Sequence, residues 1–551
     1  MDTTKILSEL KRRKIFYRGF LYLVVAWVVL QVADVVLPAL NIPGWGISLV
    51  VVLLSLGFPV AVLMAWIVDA PDREKNRTKP IPRKRDRPTQ DEAGSGPRSV
   101  AVLPFVNMSD DKENEYFSDG MTEEILNALT KVKDLQVASR TSSFTFKGKV
   151  QDVLEIAEEL RVDAVVEGSV RKSGSRVRVT AQLISAQDGY HLWSEAYDRE
   201  LQDVFKVQDE IARSIVEALR IELGTEEKEA LVEPETEDVE AYTLYLKGRF
   251  FFNRYQEDDL QRSLEVYRQA LEHDPGYGRA YAGIADTLMQ LADDWLPPEE
   301  AYPEAMEAAR KAISLDESLA EAHTALGKVL GWFEWDFDGA ELALRRAVAA
   351  NPRYADAHWG LASILPPNGQ LDEAIEEMRT ALACDPLTQN SYYLARFLMF
   401  ARRLEEATEE ARRAAELDPT SFRPLLILGQ CSLLEGNSQD ALDHFEKALK
   451  VSGVASVNSY IARALTALGR EDEARILLEQ AGSGEDYVRS EFMAAAYGSL
   501  REFDLAFDAL ETAVSDRSAG LIYLHVDPAY DPLREDPRYH DLVKRIGLKS
   551  S

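Results

Sequence analysis

Residues 374–386 read AIEEMRTALACDP, and 33 residues further on residues 407–419 read ATEEARRAAELDP. Each stretch has alanine at its first and eighth positions, an apolar residue at its fifth and proline at its end. Small side chains at this spacing share one face of a helix, where a second helix can approach closely. Proline then ends the helix because it cannot donate the next backbone hydrogen bond. The two stretches therefore predict pairs of antiparallel helices that repeat along the chain.

The same signature recurs throughout residues 238–551. Its members are Ser263/Tyr267/Ala270, Ala305/Ala309/Ala312, Ala340/Leu344/Ala347, Ala374/Met378/Ala381, Ala407/Ala411/Ala414, Ala441/Phe445/Ala448, Ala474/Leu478/Ala481 and Ala506/Leu510/Ala513. From Ala340 onward the leading residues are 34, 33, 34, 33 and 32 residues apart, whereas the first two steps are 42 and 35. We predict that a loop inserted at residues 292–303 accounts for the long first step. Residues 524–548 are predicted to supply a terminal capping helix.

This spacing resembles that of the tetratricopeptide repeat, whose period is about 34 residues. The resemblance implies an all-α superhelix of about eight repeats, with a concave groove that binds peptides or protein surfaces. Side chains on or near the predicted first helices are candidates to line the groove, and we expect no more than three of them to contact a partner. The candidates are Tyr245, Tyr281, Trp332, Trp335, His358, Trp359, Tyr392 and Tyr393.

Charge is distributed unevenly along a chain of 551 residues with a formal net charge of −30. Residues 1–98 contain 15 Lys and Arg against 9 Asp and Glu, whereas the remainder contains 48 against 84. Nucleic-acid binding depends on clustered cations, so the acidic remainder disfavours a direct nucleic-acid partner. Basic or amphipathic proteins or peptides fit it better, and association into a homo-oligomer is compatible with it.

Two long apolar runs, residues 19–37 and 47–68, lie within the basic segment. Either is long enough to cross about 30 Å of hydrocarbon. Basic residues crowd positions 1–18 and the Pro-rich linker 69–98, while the loop between the runs has none. This distribution predicts a transmembrane hairpin over residues 19–68 with both termini cytoplasmic and membrane lipid as a partner. Gln31 and Asp34 either mark an intramembrane proton path or lie close to water near the loop.

Between the linker and the repeats, residues 99–225 alternate short apolar runs with amphipathic stretches. We predict strands at 99–105, 135–139, 162–172, 175–185 and 191–200, and helices around 121–132, 153–162 and 207–223. Residues 166–183, VEGSVRKSGSRVRVTAQL, are predicted to form a β-hairpin whose turn needs the positive φ that Gly174 allows. The segment is thus a small mixed α/β domain.

Four basic residues of this hairpin, Arg171, Lys172, Arg176 and Arg178, could form an anion patch for a small nucleotide or phosphate. The alternation of the second strand places Arg176 and Arg178 on one face and valines on the other. A half-buried strand needs this pattern without any ligand, so the favoured interpretation is a solvated basic face that neighbouring carboxylates neutralise.

The quoted hairpin, together with SVAVLPFVNMSDD, EYFSDGMTEEIL and VASRTSSFTFKGK, resembles the TolB-like (FlgO-like) domain of bacterial tetratricopeptide proteins. The resemblance implies a bacterial protein of the inner, cytoplasmic membrane, in which this domain joins a multi-pass anchor to the repeats. It carries no catalytic residues that could be transferred to this chain.

The sequence contains no GxGxxG, HExxH, GxSxG or phosphate-cradling glycine motif, and its only cysteines are Cys384 and Cys431. We therefore predict no enzymatic activity, no cofactor and no metal site. The favoured function is a membrane-anchored scaffold that recruits partner proteins. Two alternatives stay open, namely a signalling receptor whose TolB-like domain binds a nucleotide or other anion, and an indirect transcription regulator.

Overall fold

The computed structural model describes Leu54 and residues 99–549, apart from positions 110, 133, 134, 150, 220, 222–235, 255, 295, 297, 388 and 484–487. The predicted hairpin apart from Leu54, its basic flanks and the linker lie outside the described residues. Among the residues that are described, no helix is both long enough and apolar enough to cross a membrane.

A six-stranded mixed sheet forms the core of residues 99–200. Its strands are β1 (Ser99–Val102), β2 (Val106–Asn107), β3 (Gln136–Val137), β4 (Ala164–Ser173), β5 (Arg176–Ser185) and β6 (His191–Glu200). The main order is β3-β1-β4-β5-β6, with β2 also paired to β4. Strands β1 and β4 are parallel, whereas β4, β5 and β6 form an antiparallel meander. The sequence predicted every strand except β2, which is too short to show a period.

Helices cover both faces of the β1 region of this sheet. They are α1 (Glu115–Thr130), α2 (Arg140–Phe144), α3 (Val153–Leu160) and α4 (Val204–Ala218). Helices α1 and α4 pack on the face that carries Val100, Val102 and Val166. Helix α3 packs on the opposite face with Ala101 and Val165. Because β1 is buried on both faces, its sequence is a continuous apolar run.

Within the described residues, eight antiparallel helix pairs follow the sheet domain, and we number them as repeats 1 to 8. They are α5/α6 (Val239–Phe252, Glu257–His273), α7/α8 (Gly278–Asp294, Pro298–Leu315), α9/α10 (Ala320–Val329, Phe337–Ala350), α11/α12 (Ala355–Ile364, Leu371–Cys384), α13/α14 (Tyr392–Phe400, Leu404–Leu417), α15/α16 (Arg423–Leu434, Ser438–Ser452), α17/α18 (Val457–Ala467, Glu471–Ser483) and α19/α20 (Ser490–Ser499, Phe503–Ser515). The signature alanines lie where the paired helices meet, and Ala340, Ala374 and Ala407 have no exposed surface.

The loop predicted at residues 292–303 is not present. Helix α7 continues to Asp294 and α8 begins at Pro298, so most of the predicted loop is helical. The long first step instead reflects longer helices, since α7 and α8 have 17 and 18 residues whereas α13 has 9. Pro298 is the first residue of α8, where a missing N–H costs no intrahelical bond, whereas Pro303 lies inside the helix.

A carboxyl-terminal segment follows repeat 8 and folds back along the array. It consists of two 3₁₀ turns, Ala519–Tyr523 and Pro528–Leu533, and helix α21 (Pro537–Ile546). The Arg517 guanidinium donates to the Phe333 carbonyl at 2.9 Å, and the Lys549 backbone N–H donates to the Pro367 carbonyl at 2.9 Å. The segment therefore caps repeat 8 and also returns to repeats 3 and 4.

Candidate functional site: the inner wall of the repeat array

The first helices of the repeats line the inner, concave wall of the array. First helices of several successive repeats pack against one another, as α7 does against α9, α17 against α19, and α9 against α11. The second helices pack mainly on the first helices of their own and adjacent repeats. A superhelix of this kind presents its first helices to whatever lies inside it.

The predicted groove residues lie in three different environments. Tyr245 is buried against Tyr267 and Tyr277, with ring centroids 5.9 and 5.2 Å away. Tyr281 packs between repeats beside a cluster that includes Ala312 and Leu319. Tyr245 is therefore closed to a partner in this arrangement, whereas Tyr281 is half-buried.

Four predicted residues form a ladder of rings along the middle of the wall. Trp332 contacts Trp359, and Trp359 contacts Tyr393, with ring centroids 5.5 Å apart in each case. Tyr393 then lies 4.4 Å from the ring of Tyr392. All four residues are half-buried. The structure thus brings these residues together, and their contact with a partner stays a prediction.

The remaining two predicted residues have structural partners within the chain. His358 Nδ1 lies 2.6 Å from the Glu377 carboxylate, and Nε2 lies 3.0 Å from the Pro352 carbonyl. Burial alone would lower the pKa of His358, but these two bonds outweigh burial and raise it. Trp335 has positive φ (60°) and lies under the Arg517 guanidinium, 4.5 Å from the ring centroid. Both residues therefore fix the geometry of the wall.

The sheet domain is docked onto the inner wall of repeats 1 and 2. Helix α1 packs on α5, so closely that a Cβ at Gly120 would lie 2.8 Å from the Leu246 side chain. The buried Glu123 carboxylate accepts hydrogen bonds from Arg140 within the sheet domain and from Arg249 of repeat 1. Glu124 pairs with Arg279 of repeat 2 at 3.0 Å. Two adjacent glutamates thus bind arginines of successive repeats.

Glu123 is the electrostatic centre of this interface. Burial alone would raise the pKa of the carboxyl, but Arg249 and Arg140 outweigh it and lower the pKa to about 2. The group is therefore ionised at every physiological pH. A buried carboxylate of this kind is tolerated only because both arginines satisfy it.

The same domain reaches repeat 4 through a second set of contacts. Asp385, in the turn after α12, accepts hydrogen bonds from the hydroxyls of Ser139 and Ser142, both at 2.5 Å. The Leu387 backbone N–H donates to the Ser142 hydroxyl, and its side chain packs on the core beneath α3. Contacts from repeat 1 to repeat 4 therefore hold the domain against the inner wall, and we call these four repeats the docked half.

A second acid of the docked half, Asp286, lies on the inner face of α7. Burial raises its pKa to about 7, although Lys328 and Arg249 act in the opposite direction. Lys328 has other partners than Asp286. Its ammonium pairs with Asp356 at 3.1 Å and lies 4.5 Å from the ring centroid of Trp359. Asp286 thus retains a large desolvation cost.

Repeats 5 to 8 form the distal half, whose inner wall carries arginines stacked on aromatic rings. The Arg396 guanidinium lies 4.6 Å from the ring centroid of Tyr523, Arg423 lies 5.8 Å from that of Tyr392, and Arg463 lies 5.9 Å from that of Tyr460. We call Arg396, Arg423, Arg463 and these rings the arginine wall. Among the described residues, none of these three arginines forms an ion pair with a carboxylate.

The carboxyl-terminal segment covers one part of the arginine wall. The Tyr523 ring packs 5.5 Å from Phe400 and 6.1 Å from Phe397. Arg396 therefore lies beneath Tyr523, whereas Arg423 is exposed and Arg463 is half-buried. The accessible part of the wall is the stretch from repeat 6 to repeat 7.

The predicted anion patch is partnered within the sheet domain. Arg176 pairs with Asp198 at 2.6 Å, and Arg171 Nε donates to the Met108 carbonyl at 2.9 Å. Lys172 Nζ lies 3.3 Å from the Tyr116 hydroxyl, and Arg178 is opposite Asp198 across the β5–β6 ladder. Binding of an anion there is untested and stays a prediction.

Sequence patterns did not reveal Glu123, Glu124, Asp385 or the arginine wall. The glutamates lie in the stretch EYFSDGMTEEIL, but nothing in the local period shows which side of α1 meets another domain. The connection between α12 and α13, residues 385–391, is longer than the one between α14 and α15, residues 418–422. The longer connection could have indicated from the sequence that the turn at Asp385 differs from the other turns.

Comparisons with known proteins agree with this division of the chain. Residues 336–387 and 392–453 match the family model of the tetratricopeptide repeat. The helix pairs in these two stretches are tetratricopeptide repeats, and the array as a whole is a tetratricopeptide-like superhelix. Residues 96–214 match the model described as HilA/YgeH-like transcriptional regulator, second domain. No match supports the TolB-like resemblance, which stays a prediction from the quoted motifs.

Curated relatives overlap parts of the chain. A protein of Rhizobium meliloti (strain 1021) named "Putative adenylate cyclase 3" is 40% identical over 237 residues, which is 42% of this chain and 40% of that protein. The transcriptional regulator HilA of Salmonella typhimurium is 24% identical over 292 residues, which is 52% of this chain and 51% of that protein. The chain thus spans about half the length of these relatives or less.

Solved structures similar to the chain include tetratricopeptide proteins. YrrB, described as having an unusual peptide-binding site, is 19% identical with a TM-score of 0.28. The match covers 37% of this chain and 99% of the YrrB chain. PilF of Pseudomonas aeruginosa is 26% identical with a TM-score of 0.29, covering 40% of this chain and 97% of its own.

Proposed function

We propose that the protein is a membrane-anchored adaptor that recruits partner proteins to the inner wall of its tetratricopeptide array. The observation that carries the proposal is the array itself, because the fold has a long inner surface built for protein or peptide partners. The two predicted membrane spans at residues 19–68 support the anchor. Attachment to a bacterial inner membrane would raise the local concentration of a bound partner.

Site-specific photo-crosslinking in cells tests this proposal. A photoreactive amino acid at Arg423 on the inner wall should give adducts with other proteins, in the membrane fraction. The matched position is Arg412, which is exposed on the outer helix α14. Equal adducts at both positions would contradict recruitment by the inner wall, and full-length protein in the soluble fraction would contradict the anchor.

A regulatory role is the second candidate, and the match of residues 96–214 to the second domain of HilA/YgeH-like regulators supports it. In this role the sheet domain would sense a signal and the array would transmit it, because the two are joined by buried ion pairs. Calorimetry of the full chain with a nucleotide panel tests the receptor form of this idea. A heat of binding that is lost in the Arg176→Ala variant would support this role, and no heat of binding with any nucleotide would reject it.

We propose that this chain has no catalytic activity. The name of the Rhizobium relative refers to that protein, of which this chain covers 40%. In the part of the chain that the structure describes, no group of three or more His, Cys, Asp or Glu could hold a metal ion.

A further inference from the structure

Ion pairs join the second helices of successive repeats on the outer surface of the array. In each pair, the arginine lies five residues after the leading residue of one signature, and the glutamate lies directly before the leading residue of the next. The pairs are Arg268–Glu304 at 2.7 Å, Arg345–Glu373 at 2.8 Å and Arg379–Glu406 at 3.4 Å. They connect repeat 1 to repeat 2, repeat 3 to repeat 4, and repeat 4 to repeat 5.

The junction between repeats 2 and 3 lacks the acid of this pair. Arg310 of α8 lies at the position of the paired arginines, but Gly339 stands at the position of the glutamate. Within the described part of the chain, Arg310 forms no ion pair with a carboxylate. The residue two places after the leading residue is a glutamate in repeats 2, 4 and 5, and in repeat 3 it is Leu342. Helix α10 therefore lacks two carboxylates that neighbouring second helices carry.

A cavity of about 230 Å³ lies at this junction and brings these positions together, since Arg310, Gly339 and Leu342 all line it. Arg346 of α10 also lines it, and both arginines are exposed. The apolar part of the lining consists of Ile313, Leu326, Leu330, Leu342 and Ala343. Because Leu342 is 55% exposed, the cavity opens onto the outer surface of the array.

The lining of the cavity fits a ligand with one apolar part and one anionic part. An engineered cavity of about 150 Å³ with apolar walls is large enough to bind benzene, so this cavity can hold a somewhat larger hydrocarbon group. A guanidinium forms strong paired hydrogen bonds with a carboxylate. The histidine of the lining, His323, is held by the Glu317 carbonyl 3.0 Å from Nε2, which leaves the two arginines as the cations that face a ligand.

We propose that the junction between repeats 2 and 3 binds a small amphipathic carboxylate of the size of a medium-chain fatty acid. The ligand carboxylate pairs with Arg310 in place of the glutamate that the other junctions supply, and Arg346 adds a second positive charge. The hydrocarbon part covers Leu326 and Leu342, which removes apolar surface from water. This site lies on the outer surface of the array and goes beyond the adaptor function proposed for the inner wall.

Photolabelling of the purified full chain tests the proposal. The probe is an eight-carbon fatty acid with a diazirine near its methyl end, and mass spectrometry of the digested protein locates the adducts. We expect adducts concentrated within residues 310–346, and we expect octanoate to compete for them far better than 1-octanol, which has no charge. Adducts spread evenly over the chain, or equal competition by the two compounds, would overturn the proposal.

A pair of arginine variants tests the anionic part of the site. Arg310→Gln removes the proposed partner of the carboxylate, whereas Arg268→Gln removes the equivalent arginine of repeat 1, whose carboxylate the chain supplies. In Arg310→Gln, half-maximal competition should need at least about a tenfold higher octanoate concentration, because a charge-assisted pair is lost. Arg268→Gln should match the unaltered chain. An equal change in both variants would contradict the role of Arg310.

A second pair of variants places an acid at the signature position that Leu342 occupies. Leu342→Glu adds a carboxylate at the mouth of the cavity, and Ile476→Glu adds one at the same position of repeat 7, where the native side chain is 54% exposed. Both side chains are exposed, so we expect both variants to fold. Repulsion of the anionic probe should reduce labelling of residues 310–346 in Leu342→Glu alone. Undiminished labelling of that variant would overturn the proposal. None of these results depends on membrane attachment or on a protein partner, so the adaptor function can fail or survive separately.

Discussion

The docked and distal halves of the inner wall are built from the same repeat but differ in what neutralises their arginines. In the docked half the chain supplies its own acidic helix, which pairs with arginines of repeats 1 and 2. In the distal half the arginines stack on aromatic rings, and the stretch from Arg423 to Arg463 stays accessible. One scaffold can therefore serve for internal assembly and for recruitment, depending only on whether a segment of the same chain fills it.

The largest expected effect comes from removing the centre of the docked interface. Glu123→Ala leaves Arg140 and Arg249 partly buried without their carboxylate, which should cost about 3–5 kcal/mol of unfolding free energy. Denaturant unfolding measures the loss, and hydrogen exchange should show α1 exposed. Glu158→Ala removes an exposed glutamate of α3 and should leave both measurements unchanged. Equal stability of the two variants would contradict the docked arrangement.

The second-largest loss of stability is expected when the contact between the sheet domain and repeat 4 is removed. Asp385→Ala leaves the buried hydroxyl of Ser142 without its acceptor, at a cost of about 2–3 kcal/mol. The matched change is Asp418→Ala, in the corresponding turn of repeat 5, where the carboxylate bonds only within its own turn. Faster hydrogen exchange over residues 139–147 in the first variant alone would confirm that this turn holds the sheet domain.

A substitution in the docked half should stabilise the protein. The raised pKa of Asp286, about 7 against an ordinary 3.8, means that the folded state binds more protons than the unfolded state between these values. Stability that depends on this carboxyl therefore falls as pH rises through that window. Asp286→Asn should add about 1–3 kcal/mol at pH 8 and little at pH 4.

Asp356→Asn is the control for that measurement, since it removes the carboxylate that pairs with Lys328. It should lower the melting temperature or leave it unchanged. A destabilising effect of Asp286→Asn at pH 8 would show that this acid has a partner of its own, and the account of a desolvated carboxyl would then be wrong.

The smallest effect is expected at His358, which lies where the two halves meet. Its folded pKa is raised, so its contribution is complete below the unfolded value of 6.5 and is lost as pH rises through the folded value. His358→Gln should cost about 1–2 kcal/mol at acidic pH and less at alkaline pH. His323→Gln is the matched control, because His323 bonds in the same way to the Glu317 carbonyl and, within the described residues, has no carboxylate at its other nitrogen.

Local patterns predicted most of the elements, because each depends on a short period. The alternation in β5 buries Val177 and Val179 and exposes Arg176 and Arg178, as the sequence indicated. The repeat signature likewise located every second helix. The loop predicted at residues 292–303 from the long first step was wrong, because longer helices account for that step and Pro298 begins α8 instead of interrupting it.

The docking of the two domains could not be predicted in the same way. Whether Glu123 faces water or Arg249 depends on residues 126 positions apart, and no periodic signal connects them. Net charge could not locate these groups either, because it averages over the whole surface. The outer helices carry exposed acids such as Glu405 and Glu409, while the arginine wall concentrates cations inside the array.

The return of the carboxyl-terminal segment to repeats 3 and 4 has a consequence for synthesis on the ribosome. Residues 517–549 emerge only after all eight repeats, yet they supply the contacts to Phe333 and Pro367. The nascent array therefore passes through a period in which Phe397 and Phe400 lack Tyr523 as their cover. We expect chains truncated after Ser515 to bind chaperones and aggregate, which pulse-labelling of full-length and truncated chains would measure.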